Sequence, residues 1–147
     1  MSENQVTSVS LVRRGAVVDF ETKSQAIPNF HIDNELIPEN ERGGTAKKLL
    51  GSAVLYCYVA ALSKALETRA INYERIEAQA QVTAGNDDKG RSRILGINLD
   101  VAVHMDADYE DLFERVKKVM RNGCLISASL EAAFPVTYNL TMVCPDD

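Results

Sequence analysis

The chain has 147 residues, 46% of them hydrophobic and 25% charged, the proportions of an ordinary globular domain rather than a disordered or fibrous one. That length favours one domain, residues 1–147, with a core of its own. A formal net charge of −5 argues against a broad basic face for a polyanion, so nucleic acid is not an expected partner.

Residues 1–10 are polar and lack the cationic start and apolar run of a secretory leader. Val6–Val12 and Ala16–Phe20 are rich in β-branched residues and are separated by Arg13, Arg14 and Gly15, which predicts two strands around a turn. Asn29–Asp33, after Pro28, predicts a third short strand, and Ile37–Gly44, with Pro38 and two glycines, a loop. Thr45 suits an N-cap, and from Ala46 to about Arg69 only Gly51 interrupts good helix formers. Inside this helix the fifteen residues Leu49–Ser63 carry no charge. They fall short of the ~20 residues that cross a bilayer, so no membrane association is expected. A helix apolar on every face must be surrounded by protein. A small domain is hard pressed to do that alone, which predicts an extensively packed homodimer.

Tyr73–Ala84 and Arg91–Met105 read as two long strands around a Gly- and Asp-rich turn. In the second, Leu95, Ile97, Leu99, Val101, Val103 and Met105 alternate with smaller or more polar residues, a period of two that buries one face. Asp106 or Asp108 caps a helix reaching Asn122, with Leu112, Phe113, Val116, Val119 and Met120 on one side. Gly123 is placed to end it in the left-handed conformation. Cys124–Phe134 predicts a short helix stopped by Pro135, and Val136–Val143 a last strand. The order β-β-β-α-β-β-α-α-β, with hairpins around an internal helix, is an α+β fold with mainly antiparallel pairing.

Three cysteines, Cys57, Cys124 and Cys144, do not make a secreted disulfide framework. A cytoplasmic protein with reduced thiols is expected. A cysteine in an apolar helix is most often a small hydrophobe, and Cys144 in the tail reads as an incidental exposed thiol. Tyr56 and Tyr58, on either side of Cys57, are expected to pack in the core. His31 and His104 lack metal-ligand spacing, and no metal is expected. Gly43-Gly44 precede a helix, but no phosphate-loop string follows them.

Two segments carry a family resemblance. Gly44-Thr45-Ala46-Lys47-Lys48-Leu49-Leu50-Gly51-Ser52-Ala53-Val54-Leu55-Tyr56-Cys57 is similar to the loop-to-helix segment of the OsmC/Ohr family of thiol-dependent peroxidases. There a Gly-Thr-Asn-Pro-Glu type start leads through small and apolar residues to the reactive cysteine. Gly123-Cys124-Leu125-Ile126-Ser127-Ala128-Ser129-Leu130, followed by Ala133-Phe134-Pro135-Val136, resembles the family segment that opens the last helix and precedes a Pro-Val strand. The element order is similar over nearly the whole chain.

The resemblance implies an OsmC-like fold, with an antiparallel sheet wrapped around a long buried central helix. It implies organic or hydrogen peroxide as substrate and a role in oxidative-stress defence. By the same resemblance Cys57 attacks and Cys124 resolves. An arginine of the N-terminal hairpin region, Arg14, then helps to ionise the thiol and hold the peroxide. The chain departs from the family where Ala46-Lys47 stands for Pro-Glu and where Leu125, not proline, follows the second cysteine.

Peroxide reduction requires a thiolate, and a free cysteine has a pKa of ~8.5 that burial raises further. Lys47, ten residues before Cys57, lies ~15 Å away along a helix, so Arg13, Arg14 or Arg42 is the better cation. The attacked thiol becomes a sulfenic acid, which a second thiol converts to a disulfide. No bound cofactor is implied; an external dithiol would regenerate the protein. The Ala46-Lys47 departure also admits a second reading, a non-catalytic OsmC-like dimer binding a small ligand at the subunit interface.

Overall fold

The computed structural model describes residues 3–145, which form two compact units divided after Gly44. The N-terminal unit is an antiparallel meander of β1 (Ser10–Arg14), β2 (Val17–Glu21) and β3 (Phe30–Asp33). The first turn falls at Gly15-Ala16, two residues later than the strand-forming runs predict, because Arg14 pairs with Val17. Gly15 takes φ +62° there, a value open to glycine at no steric cost. Phe20 and Phe30 face each other across β2 and β3 and stack with centroids 4.7 Å apart.

The second unit starts with α1 (Thr45–Glu67), then β4 (Tyr73–Asn86) and β5 (Ser92–Met105). α2 (Glu110–Met120), α3 (Leu125–Leu130) and β6 (Val136–Val143) complete it. The element order is the one read from the sequence. β4 and β5 form a long antiparallel hairpin, whereas β6 runs parallel to β5, with Ile97 opposite Val136 and Val101 opposite Leu140. Parallel neighbours need a crossover of a dozen or more residues, and α2 and α3 supply it. The three-stranded sheet is therefore mixed, with one parallel pair inside an otherwise antiparallel arrangement.

The core lies on the alternating face of β5. Ile97, Leu99, Val101, Val103 and Met105 are buried there, while Leu95, predicted for the same face, is 45% exposed near the hairpin end. Phe113, Val116 and Met120 of α2 pack into the same cluster, as does a stripe of α1 formed by Val54, Tyr58, Leu62 and Leu66. Fully burying each such side chain contributes about 1.5–3 kcal/mol. Asp106 opens a 3-10 turn over Ala107–Tyr109 by accepting the Asp108 N–H at 2.9 Å, and α2 continues from it.

Within one chain α1 buries a single stripe, not its whole circumference. Leu49 is 40% and Tyr56 78% exposed, so the expectation that Tyr56 packs in the core does not hold within this chain. The segment Glu39–Glu67 is also long and apolar enough to cross a membrane. Its stripe instead joins the core cluster with β5 and α2.

Candidate functional site

α2 ends where Gly123 adopts φ +68° and its N–H bonds the Met120 carbonyl at 3.1 Å, the left-handed termination the sequence predicts. The chain then turns into extended geometry at Cys124, the N-cap of α3. Cysteine is not among the preferred caps, yet here its sulfur fills the role. Sγ accepts the Ser127 N–H at 3.4 Å, and Ser127 Oγ accepts the Cys124 N–H at 2.8 Å. This reciprocal pair is a capping box with a thiol in the place of a hydroxyl.

Ser127 is fully buried. Its Oγ also lies 3.3 Å from Cys124 Sγ and 2.8 Å from Tyr138 Oη, and the Tyr138 O–H reaches Glu131 Oε1 at 2.7 Å. The parallel register of β6 brings Tyr138 beside α3, and its ring stacks on Tyr58 of α1 at 5.3 Å. Burial pushes the Tyr58 hydroxyl up to about 12, with Tyr138 and Cys124 adding to the effect. Burial likewise pushes Tyr138 up to about 12; Ser127 opposes the shift and Glu131 reinforces it. Both phenols stay protonated at neutral pH.

Cys57 precedes Tyr58 on α1, at the edge of the buried stripe and half-buried. α1 packs on α3 and sets Cys57 beside Cys124, close enough for each thiol to affect the other's ionisation, and both sulfurs are free. Burial, followed by the neighbouring Cys124 thiol and its charge, raises the Cys57 pKa. Backbone hydrogen bonds at Ile126 and Leu125 oppose the rise. Burial also pushes Cys124 up, but the Ser127 hydroxyl and N–H, then Cys57 and the Ile126 backbone, bring it below the usual thiol value. Cys124 is thus the more acidic thiol of the two. Among the described residues, none of these influences on Cys57 is a basic side chain.

This order of acidity yields a prediction with two opposite signs. Cys57→Ala removes the thiol that favours the Cys124 anion, so Cys124 should titrate at higher pH. Cys124→Ser removes the neighbour that opposes ionisation of Cys57, so Cys57 should titrate at lower pH. Alkylation followed against pH, with each cysteine quantified by mass spectrometry, checks both; shifts of the same sign would refute the mutual influence of the two thiols.

Arg14 is on β1 of the N-terminal unit, exposed and 3.7 Å from Asp19. Arg13 donates to the Gly15 carbonyl, and Arg42 is committed to the Ile37 and Asn34 carbonyls at 2.7 and 2.8 Å. Lys47 is exposed in the first turn of α1, and Cys144 is exposed beyond β6. Sequence reasoning missed Ser127, Tyr138 and Glu131. The spacing of Gly123, Cys124 and Ser127 held a hint of the capping box. Nothing local marks Tyr138 or Glu131, since their roles come from the packing of β6 against α3.

The profile of the family described as "OsmC-like protein" matches residues 39–139. No curated protein sequence matches. Among solved structures, an OsmC-like protein from Mycoplasma pneumoniae superposes with a TM-score of 0.74 at 15% identity, over 96% of this chain and 99% of that one. The organic hydroperoxide resistance protein OhrB of Bacillus subtilis gives 0.64 at 22% identity, over 92% and 98%. An organic hydroperoxide resistance protein from Elizabethkingia anophelis gives 0.65 at 16% identity, over 99% and 100%. These likenesses share the fold. With the family profile covering more than half of its length, the chain belongs to the OsmC-like protein family.

Proposed function

We propose that this protein is a cysteine-based peroxidase acting in defence against peroxide stress, with Cys57 and Cys124 as its redox pair. One observation carries the proposal: two free thiols set beside each other where α1 packs on α3. Cys57 is the more accessible sulfur and takes the peroxide. Its thiolate attacks one oxygen, the O–O bond breaks, and the other oxygen leaves as an alkoxide or hydroxide that takes up a proton. Cys57 is left as a sulfenic acid. The Cys124 thiolate attacks that sulfur, the S–S bond forms, the S–O bond breaks, and hydroxide leaves to become water.

An external dithiol closes the cycle by attacking the disulfide twice, and is itself oxidised to a disulfide. The first attack falls on Cys57, because Cys124, with its depressed pKa, is the better leaving group. Arg14 is the proposed cation for Cys57 and the peroxide. The proposed setting is the reducing cytoplasm. The proposed assembly is a homodimer that covers Leu49 and Tyr56 on the outer side of α1; a monomer in solution by light scattering would count against it.

One equivalent of an organic hydroperoxide should convert the reduced protein to a Cys57–Cys124 disulfide, visible in peptide mass spectra. Unchanged thiols would overturn the proposal. A second reading, a non-catalytic dimer binding a small ligand between subunits, draws on the raised pKa of Cys57. Dithiol-dependent peroxide turnover that disappears in Cys57→Ser decides between them.

A further inference from the structure

The resolving step needs Cys124 to give up a proton, and Cys124 is only 7% exposed. Its thiol has little direct access to solvent. It does have a continuous set of hydrogen-bond partners leading outward. Sγ lies 3.3 Å from Ser127 Oγ, Ser127 Oγ lies 2.8 Å from Tyr138 Oη, and Tyr138 Oη lies 2.7 Å from Glu131 Oε1. Glu131 is exposed.

We propose that Ser127, Tyr138 and Glu131 form a proton wire that carries the Cys124 proton from the buried thiol to the surface. The inference rests on the redox pairing of Cys57 with Cys124 and adds the route by which the second thiol is activated.

Each member can serve the wire in both of its states. With Cys124 protonated, S–H donates to Ser127, the Ser127 hydroxyl to Tyr138, and the Tyr138 hydroxyl to the Glu131 carboxylate. When the proton moves, every hydroxyl reverses. Glu131 then holds a proton and donates to Tyr138, Tyr138 donates to Ser127, and Ser127 donates to the Cys124 thiolate. One S–H bond is broken and one carboxyl O–H bond is made, and no charge is left without a partner. Ser127 Oγ keeps its bond from the Cys124 N–H throughout, within the two acceptor sites and one donor of a hydroxyl. Glu131 then exchanges its proton with water.

Two further features keep the wire closed. The stack of Tyr138 on Tyr58 restrains the phenol ring. At Gly123 a Cβ would fall 2.5 Å from Ser127 Oγ and closer still to Tyr138 Oη. The backbone is bare where these two hydroxyls meet.

The test uses the full-length protein with Cys144→Ser and the chromogenic aromatic disulfide DTNB, so that no peroxide is involved. Cys57 attacks the reagent and releases a first aromatic thiolate. Cys124 then attacks the mixed disulfide on Cys57 and releases a second, and the rate of that second release reports the activation of Cys124. Glu131→Gln keeps an acceptor for Tyr138 but supplies no base, and Tyr138→Phe keeps the stacked ring but interrupts the wire. Each should slow the second release by on the order of tenfold to a hundredfold, at or below the low end of general-base effects because solvent substitutes in part. A small exogenous carboxylate or imidazole buffer should restore the rate in Glu131→Gln, a rescue that a purely structural glutamate would not show. A second release that is unchanged or faster in both variants, or insensitive to added base in Glu131→Gln, would overturn the wire. A protein that behaves as expected with DTNB but ignores hydroperoxide would keep the wire and lose the peroxidase.

Discussion

Cys57→Ser should abolish dithiol-driven peroxide consumption, by on the order of a thousandfold or more, the scale on which enzymes lose activity when a nucleophile is removed. Serine at this half-buried position offers no thiolate and forms no sulfenic acid. Cys124→Ser should behave differently. Cys57 still attacks, so each chain consumes one equivalent of peroxide, but the sulfenic acid has no neighbouring thiol to close on. Further peroxide then drives it to the sulfinic acid, which thiol reductants do not reverse. Stopped-flow consumption gives the contrast directly, and intact-mass spectra distinguish the oxidised forms. If Cys57→Ser still turns over while Cys124→Ser is silent from the first equivalent, the roles of the two thiols are reversed. The depressed pKa of Cys124 makes that comparison a demanding one. In the proposed cycle the acidity serves the attack on the sulfenic sulfur and, later, departure from the disulfide.

Gly123→Ala should lower stability and disturb the thiol site together. Its backbone sits at φ +68°, where a Cβ costs about 1–2 kcal/mol. That Cβ would also fall on the Ser127 and Tyr138 hydroxyls, and relieving such an overlap costs about 1–3 kcal/mol more. For a chain of this size the sum corresponds to a fall in Tm of roughly 5–15 °C. Thermal unfolding measures it. Because the displaced hydroxyls are those that bond Cys124 and Glu131, the alkylation of Cys124 should change in the same variant. A Tm within a degree of the parent would mean that neither the backbone conformation nor the hydroxyl pair is held as tightly as the geometry indicates.

The long periodic segments were legible before any coordinates. The alternation from Ile97 to Met105 became the core face of β5, and Gly123 ended α2 in the conformation its position demanded. Strand ends were less legible. β1 runs two residues into the expected turn, because hairpin register depends on which residues pair across it and not on β-branched content alone. Tyr56 was misjudged for a related reason. It stands in an uncharged helix, but α1 presents only one stripe to its own unit, and position on the helix decided its exposure. The two cysteines could be singled out one by one, from the uncharged helix around Cys57 and the glycine before Cys124, and paired through the family resemblance.

Period, glycine placement and absence of charge are local properties of the chain, so strands, helices and both sulfurs were available from residue order. The parallel placement of β6 was not, because it depends on how the α2–α3 crossover folds back onto β5. That crossover is what sets Tyr138 against Ser127 and Glu131. The relative acidity of the thiols is a matter of geometry as well: burial raises both, and the hydroxyl and N–H of Ser127 at the start of α3, then Cys57 and the Ile126 backbone, turn Cys124 the other way. The Ser127 cap of Cys124 is local, but the nearness of Cys57 to Cys124 and the bond of Tyr138 to Ser127 join residues distant in sequence, and such contacts leave no mark in composition or spacing.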